Sequence, residues 1–109
     1  MKKLVLSHIH ESLGGKMVDF AGFYMPVQYE GVKAEHKNIR ENVGIFDVSH
    51  MGEFVVAGEE AEAFIQKTTS NDVTLLQDGQ VQYSCIPNYE GGIVDDLLIY
   101  RFSKTKYML

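Results

Sequence analysis

Two strand-like runs joined by a glycine-rich turn constrain the fold of this chain more than any other feature. Residues 81–86 and 93–102 are rich in β-branched and aromatic side chains, and residues 88–92 between them are typical of a hairpin connection. We expect the two runs to pair as antiparallel strands. Because neighbouring side chains on a strand point to opposite faces, this pairing also determines which residues share a face.

Two adjacent carboxylates, Asp95 and Asp96, lie inside the second of these runs. Alternation places them on opposite faces, so one of them is expected to point inward if the other face is solvated. An inward carboxylate needs hydrogen bonds, a paired charge or a shifted pKa, and such groups cluster at functional sites. The competing structural interpretation has one carboxylate in solvent while the other caps a backbone amide.

The rest of the chain mixes helical and strand patterns without a regular alternation of strand and crossover helix. Helices are predicted at 4–13, 31–43 and 59–68, and further strands at 16–20, 45–48, 53–56 and from 106 onward. Residues 21–29, which are rich in aromatic side chains and contain Gly22 and Pro26, are predicted to be irregular. This mixture predicts an α+β fold with a mostly antiparallel sheet and a few short helices.

Composition narrows the classes of partner. The formal net charge is −5 with a sequence pI of about 5.2 and no run of basic residues, which argues against nucleic-acid binding. The apolar runs are too short to cross a membrane. Cys85 is the only cysteine and cannot form an internal disulfide; together with the lack of a signal-peptide pattern it favours the cytoplasm.

The C-terminal residues 107–109 read as the start of an apolar strand with no turn or polar tail behind it. We therefore expect residues 1–109 to be the truncated N-terminal part of a larger domain. A bare terminal strand exposes unpaired backbone groups, so self-association through this strand is also expected.

Two other groups of side chains resemble catalytic or metal sites only superficially. Asp47, Ser49 and His50 lie too close in sequence for a catalytic triad, and a turn held by side chains bonding to the backbone is favoured. No spacing among the histidines matches a zinc site, and Cys85 stands alone. No metal site is predicted from the four histidines, which are His8, His10, His36 and His50.

A pocket is predicted around Asp96. Tyr100 follows it by four residues on the same strand and so shares its face, and Tyr83 is expected across the hairpin. A flat heteroaromatic ligand that stacks on tyrosine and presents a polar edge to a carboxylate would suit this arrangement.

Five segments together resemble the glycine cleavage system T-protein, the aminomethyltransferase family. They are GKMVDFAG at 15–22, MPVQY at 25–29, FDVSHMGE at 46–53, TSNDV at 69–73 and GGIVDDL at 91–97. They occur in the family's order and spacing and cover essentially the whole chain. The family's pattern has tryptophan where this chain has Phe23, which keeps an aromatic ring. The family also continues well beyond residue 109, and its folate site uses residues from that part.

The resemblance implies an enzyme that takes tetrahydrofolate as co-substrate and the lipoylated H-protein as partner. An aminomethyl group carried on the dihydrolipoyl arm is transferred, ammonia leaves and methylenetetrahydrofolate forms. The family's essential acidic residue falls in the Asp pair and is placed at Asp96, with Asp95 as second choice. Met51, Tyr83 and Tyr100 are predicted to form the folate wall. The alternative is a non-catalytic folate-binding or self-associating module of the same superfamily, and the isolated 109 residues are expected to be inactive.

Overall fold

The computed structural model describes all residues, Met1 to Leu109, and they divide into two compact units, Met1–Met51 and Gly52–Leu109. Each unit combines short helices with a small sheet, and the strand pairings are antiparallel with one exception. The predicted α+β class with mostly antiparallel sheet is therefore confirmed. No helix has the length and apolar character needed to span a bilayer.

The first unit contains a three-stranded sheet with two helices. Strands β2 and β3 form an antiparallel hairpin, and β1 pairs with β3 in parallel, which gives the order β1-β3-β2. Ala21 and Gly22, with φ of 50° and 85°, make the tight turn between β2 and β3. The elements are β1 Lys2–Lys3, α1 Ser7–Ser12, β2 Lys16–Phe20, β3 Phe23–Gln28 and α2 Val32–Glu41.

Two predictions for this unit were wrong. Residues 21–29 are not irregular, because they contain β3. Pro26 is tolerated there because it lies past the end of β1, which pairs only with Phe23 and Tyr24, and beside a register shift in the β2 pairing. Conversely, residues 45–48 form no strand: Ile45 is 98% exposed and side-chain hydrogen bonds hold the segment instead.

The second unit is a four-stranded antiparallel sheet in the order β4-β7-β6-β5, with one helix and one 3-10 turn. The long β5–β6 hairpin is present as predicted. The elements are β4 Val55–Ala57, α3 Ala61–Thr68, the 3-10 turn Val73–Leu75, β5 Val81–Pro87, β6 Ile93–Ser103 and β7 Lys106–Met108.

The core of the second unit lies between this sheet, α3 and the 3-10 turn. Four side chains there are essentially solvent-free, namely Ile65, Val73, Ile99 and Tyr107. At its margin Arg101 pairs with Glu62 at 3.1 Å and with Asp78 at 2.8 Å, and the Tyr107 hydroxyl donates to Glu62. The two charged side chains with low exposure, Arg101 and Glu62, are thus paired with each other where the sheet meets α3, as burial requires.

The expectation of an unpaired C-terminal strand was wrong. Strand β7 lies inside the sheet with β4 on one side and β6 on the other, and Leu109 exchanges backbone hydrogen bonds with Phe54 at 2.8 and 2.9 Å. The edge strand β5 is itself covered, because Ser70 and Asn71 bond to its backbone. The reason given for self-association, a free terminal strand, therefore does not hold.

Candidate functional site

The register of the β5–β6 hairpin sorts its side chains onto two faces. Ser84 pairs with Leu97 and Gln82 with Ile99, and this face turns toward the core, where Ser84 and Ile99 are buried. The opposite face carries the other cross-strand pairs, which are Val81 with Tyr100, Tyr83 with Leu98 and Cys85 with Asp96. Alternation along β6 thus places Asp96 and Tyr100 on the face away from the core.

Asp96 is held by a tyrosine on the neighbouring strand. The Tyr83 hydroxyl donates a 2.8 Å hydrogen bond to Asp96 Oδ2, across a diagonal of the hairpin. This hydrogen bond, followed by the charge of Asp96, raises the pKa of Tyr83, so the phenol remains a donor at neutral pH. Asp96 is exposed and Tyr100 is partly buried on the same face. The structure therefore places Asp96, Tyr83 and Tyr100 on one face, as the alternation predicted, with Asp96 and Tyr83 in direct contact.

Asp95 lies on the other face and has a different partner. Its Oδ1 accepts a 2.9 Å hydrogen bond from the Asp96 backbone N–H. Both carboxylates are exposed, so the expectation that one of them points inward is not met. The reason is that this end of the hairpin extends past the core, as the 67% exposure of Ile93 and Val94 shows.

Met51, the remaining predicted wall residue, belongs to the first unit. Its backbone N–H donates to the Val48 carbonyl at 2.9 Å, which closes a turn, and its side chain is about half exposed at 49%. The turn interpretation of the preceding residues is confirmed. Asp47 Oδ1 accepts from the Ser49 backbone N–H at 3.0 Å and from the Ser49 hydroxyl.

A hydrogen-bonded chain in the first unit links Tyr29, His10 and Asp47, and no sequence pattern predicted it. The Tyr29 hydroxyl lies 2.5 Å from His10 Nδ1, and His10 Nε2 lies 2.8 Å from Asp47 Oδ2. The His10 and Asp47 side chains are only 11% and 7% exposed. These residues lie 19 and 37 positions apart, so no local spacing signals their meeting.

The protons in this chain can be assigned from the acids at its two ends. Hydrogen bonds from His10 and from the Ser49 side chain and backbone lower the pKa of Asp47 to about 2, so it is an anion that only accepts. His10 therefore donates through Nε2. Burial, then the charges of Asp47 and Glu35, raise the pKa of Tyr29, so its hydroxyl keeps its proton and can donate it to Nδ1.

Acid is expected to destabilise the first unit through Asp47. A carboxylate whose folded pKa is depressed stabilises the fold above its unfolded value of 3.8, and this contribution is lost as the pH falls toward about 2. Asp47→Asn should lower the free energy of unfolding at neutral pH by on the order of 2 kcal/mol. It should also flatten the pH dependence in that acidic window, measured by urea unfolding at several pH values. An unchanged acid slope in the variant contradicts the assignment.

Asp72 provides a matched control for that experiment. It holds a turn of the same kind, accepting from the Thr74 backbone N–H and hydroxyl, but no histidine contacts it. Asp72→Asn is therefore expected to change the acid slope less than Asp47→Asn does.

No cluster of three or more His, Cys, Asp or Glu side chains is placed to hold a metal ion. The chemistry available on the β5–β6 face is instead that of a tyrosine-held carboxylate beside an aromatic ring. A carboxylate accepts hydrogen bonds from amines, and tyrosine rings stack on flat heteroaromatic groups.

Comparison with known proteins identifies the family of this chain. Residues 6–109 match the family model described as the GCVT N-terminal domain. A protein named Aminomethyltransferase from Flavobacterium psychrophilum is 65% identical over the whole chain, and one of the same name from Chloroherpeton thalassium is 57% identical. The chain spans 30% of the length of each of these relatives.

A solved structure agrees with the sequence comparisons. The crystal structure of glycine cleavage system aminomethyltransferase T from Bartonella henselae matches 98% of this chain with a TM-score of 0.77 and 37% sequence identity. The chain covers 30% of that protein. The family match over nearly all residues, together with these relatives, shows that the chain belongs to the GCVT N-terminal domain family.

Proposed function

We propose that this chain serves tetrahydrofolate-dependent aminomethyl transfer in glycine cleavage. The aminomethyl group comes from the dihydrolipoyl arm of the lipoylated H-protein, and the products are ammonia, methylenetetrahydrofolate and H-protein with its dihydrolipoyl arm free. The proposal is supported by family membership and by relatives whose names are Aminomethyltransferase or glycine cleavage system aminomethyltransferase T. Tetrahydrofolate supplies the nucleophilic nitrogen that receives the one-carbon unit.

The observation that carries the proposal is the Asp96 face of the β5–β6 hairpin. Asp96 is fixed by Tyr83 through Oδ2 and is open to solvent, so it can accept hydrogen bonds from the amine edge of a pterin. Tyr100 adds an aromatic ring on the same face. A carboxylate and aromatic rings are the groups that a flat, amine-bearing heteroaromatic ligand requires, so these residues fit tetrahydrofolate.

Each residue has a proposed role. Asp96 holds and polarises the pterin-side amines so that the folate nitrogen is aligned, which can account for several kcal/mol of barrier reduction. Tyr83 keeps the Asp96 carboxylate in one orientation, and Tyr83 and Tyr100 contact folate on the hairpin face. Met51 is proposed as a folate contact supplied by the first unit. Asp95 remains the second choice for the acid, but its hydrogen bond to the Asp96 backbone favours a structural role.

The proposed setting is the bacterial cytoplasm, where Cys85 stays reduced, with the H-protein as the macromolecular partner and no nucleic acid or membrane. The 109 residues by themselves are proposed to be inactive, because the relatives are about three times as long and the family's folate site draws on that additional length. The alternative, a non-catalytic folate-binding module, predicts binding without turnover at any length.

The test compares two proteins, the one encoded by the native gene and the isolated 109-residue chain. Each is mixed with aminomethylated H-protein and tetrahydrofolate, and methylenetetrahydrofolate and ammonia are measured. We expect both products from the gene-encoded protein and neither from the isolated chain. Folate binding without product from the gene-encoded protein would support the non-catalytic module, and product from the isolated chain would refute its inactivity.

A further inference from the structure

The segment that carries Met51, residues 44–51, has no helix or strand of its own; we call it the Met51 loop. Its internal hydrogen bonds are short-range, from Ser49 to Asp47 and from Met51 to Val48. Much of its apolar surface is exposed, including Ile45 at 98% and Val48 at 54%. Little packing therefore determines where the loop lies, and the position of Met51 depends on anchors from elsewhere in the first unit.

The strongest polar anchor is the hydrogen bond between His10 and Asp47. His10 lies on α1 with 8% exposure, and its Nδ1 is in turn held by the Tyr29 hydroxyl at the end of the β3 hairpin strand. Asp47 is the only loop side chain that reaches this pair, with its Oδ2 2.8 Å from Nε2. The hydrogen-bonded chain thus connects the loop to two regular elements.

A second contact of the loop, made by His50, is less directional. The His50 ring meets the edges of Phe20 and Phe23 at centroid distances of 5.7 and 6.0 Å, but its Nδ1 is buried without a hydrogen-bond partner. Ring contacts of this kind leave rotation and sliding open, whereas a charge-assisted hydrogen bond specifies both distance and direction. The orientation of the loop therefore rests on Asp47 and His10.

Close packing around His10 makes this anchor rigid. A Cβ at Gly15 would come within 2.9 Å of the His10 carbonyl oxygen and 3.1 Å of the Tyr29 ring, so glycine is needed for this approach. Glu35 accepts hydrogen bonds from the Tyr29 and Gly31 backbone N–H groups, which restrains the backbone that carries the Tyr29 side chain. Tyr29 and His10 are thereby held by contacts that do not involve Asp47.

We infer that His10 and Asp47 are positioning residues that hold the Met51 loop in the conformation in which Met51 contacts folate. This inference rests on the proposed function, since it assigns the anchor a purpose only if Met51 lines the folate site. His10 itself touches no ligand in this scheme. It acts through Asp47, four residues before Met51, and its removal should release the loop without unfolding the unit.

The first experiment measures the loop without any ligand. Amide hydrogen exchange across residues 44–51 is compared in the gene-encoded protein, His10→Phe and His10→Gln. Phenylalanine removes both hydrogen bonds, so we expect at least 10-fold faster exchange at Ser49 and Met51. Glutamine keeps an N–H at about the position of Nε2 and should restore much of the protection. Asp72→Asn, the matched turn without a histidine, should leave loop exchange unchanged. Equal exchange in His10→Phe and the unaltered protein would overturn the inference.

The second experiment asks whether the anchor acts through Met51. Tetrahydrofolate dissociation constants are measured for His10→Phe, Met51→Ala and the double variant. We expect His10→Phe to weaken binding about 10-fold. It should have no further effect once Met51 is already alanine, because residues that act through one shared backbone segment are non-additive. Additive losses would overturn the inference. If His10→Phe proves unfolded by circular dichroism, Asp47→Asn takes its place with the same expectations, since its side-chain oxygen can keep the turn to Ser49.

The outcomes separate this inference from the function on which it rests. Failure of the unaltered protein to bind tetrahydrofolate defeats the proposed function. Normal binding by a His10→Phe variant with a mobile loop leaves the proposed function intact and overturns the positioning role alone.

Discussion

Asp96→Asn is expected to lower the turnover number about 100- to 1,000-fold in the protein as its gene encodes it, the loss typical of removing one preorganised electrostatic group. The amide keeps the size of the side chain but loses the charge that holds and polarises the ligand's amines. Asp96 is exposed and outside the core, so the free energy of unfolding should change by less than about 0.5 kcal/mol. Steady-state kinetics and urea unfolding of the same preparations check both statements.

Asp96→Asn also tests the hydrogen bond between Asp96 and Tyr83. The hydrogen bond to Asp96 and the charge of Asp96 raise the pKa of Tyr83, so Asp96→Asn should lower the Tyr83 pKa toward its ordinary value of 10.0. Tyrosine carbon NMR during an alkaline titration measures this shift. Asp95→Asn should leave the Tyr83 pKa unchanged and cost far less turnover, since Asp95 bonds only a backbone amide. A larger loss from Asp95→Asn would reverse the assignment, and unchanged turnover in Asp96→Asn would remove it.

Glu90→Gln serves as the matched control for charge. It lies in the turn of the same hairpin, is exposed, and neutralises one carboxylate without touching the Asp96 face. Turnover similar to that of the unaltered protein is expected. A comparable fall would show that the overall charge of the hairpin, rather than the position of Asp96, matters.

The features that the sequence predicted well are those set by local periodicity. The two strands of the hairpin alternate over six or more residues, so the shared face of Asp96 and Tyr100 followed from the period of two. The place of Tyr83 on that face depends on the register of the hairpin. The helices at 32–41 and 61–68 were also found close to their predicted ranges, because their apolar spacing and first-turn acids are local signals.

What the sequence could not show depends on distant partners. Strand β3 was missed because Pro26 argued against it, and only the pairing with β2 and the short reach of β1 make proline acceptable there. Residues 45–48 look like a strand but find no partner. His10 and Asp47 are 37 positions apart in the sequence, and no local pattern around either residue indicates their contact. Long-range pairing decides each of these cases, and a single sequence carries no direct record of it.

The prediction that one of Asp95 and Asp96 is buried was wrong for a related reason. Alternation says which face a side chain occupies but not how far the core extends along the strand. In β6 the solvent-free position is Ile99, while the turn-proximal half from Ile93 to Asp96 is exposed on both faces. The half of the hairpin around Ile99 therefore packs against the core, and the half next to the turn is exposed to solvent. The Asp pair lies in the exposed half.

Ile99→Ala is expected to destabilise the second unit by about 3 kcal/mol, because it removes three carbons from a solvent-free site among Ile65, Val73 and Tyr107. Urea unfolding of this chain measures the loss, and Ile93→Ala, at a 67% exposed position on the same strand, should change stability by less than about 0.5 kcal/mol. Ile99 occupies the core face of β6 and Asp96 the opposite face, so Ile99→Ala and Asp96→Asn should have different effects. Ile99→Ala should lower stability while leaving the Tyr83 pKa raised in the folded state, and Asp96→Asn should do the reverse. Similar unfolding curves for Ile99→Ala and Ile93→Ala would mean that this face of β6 does not form the core, and the assignment of Asp96 to the solvent face would fall with it.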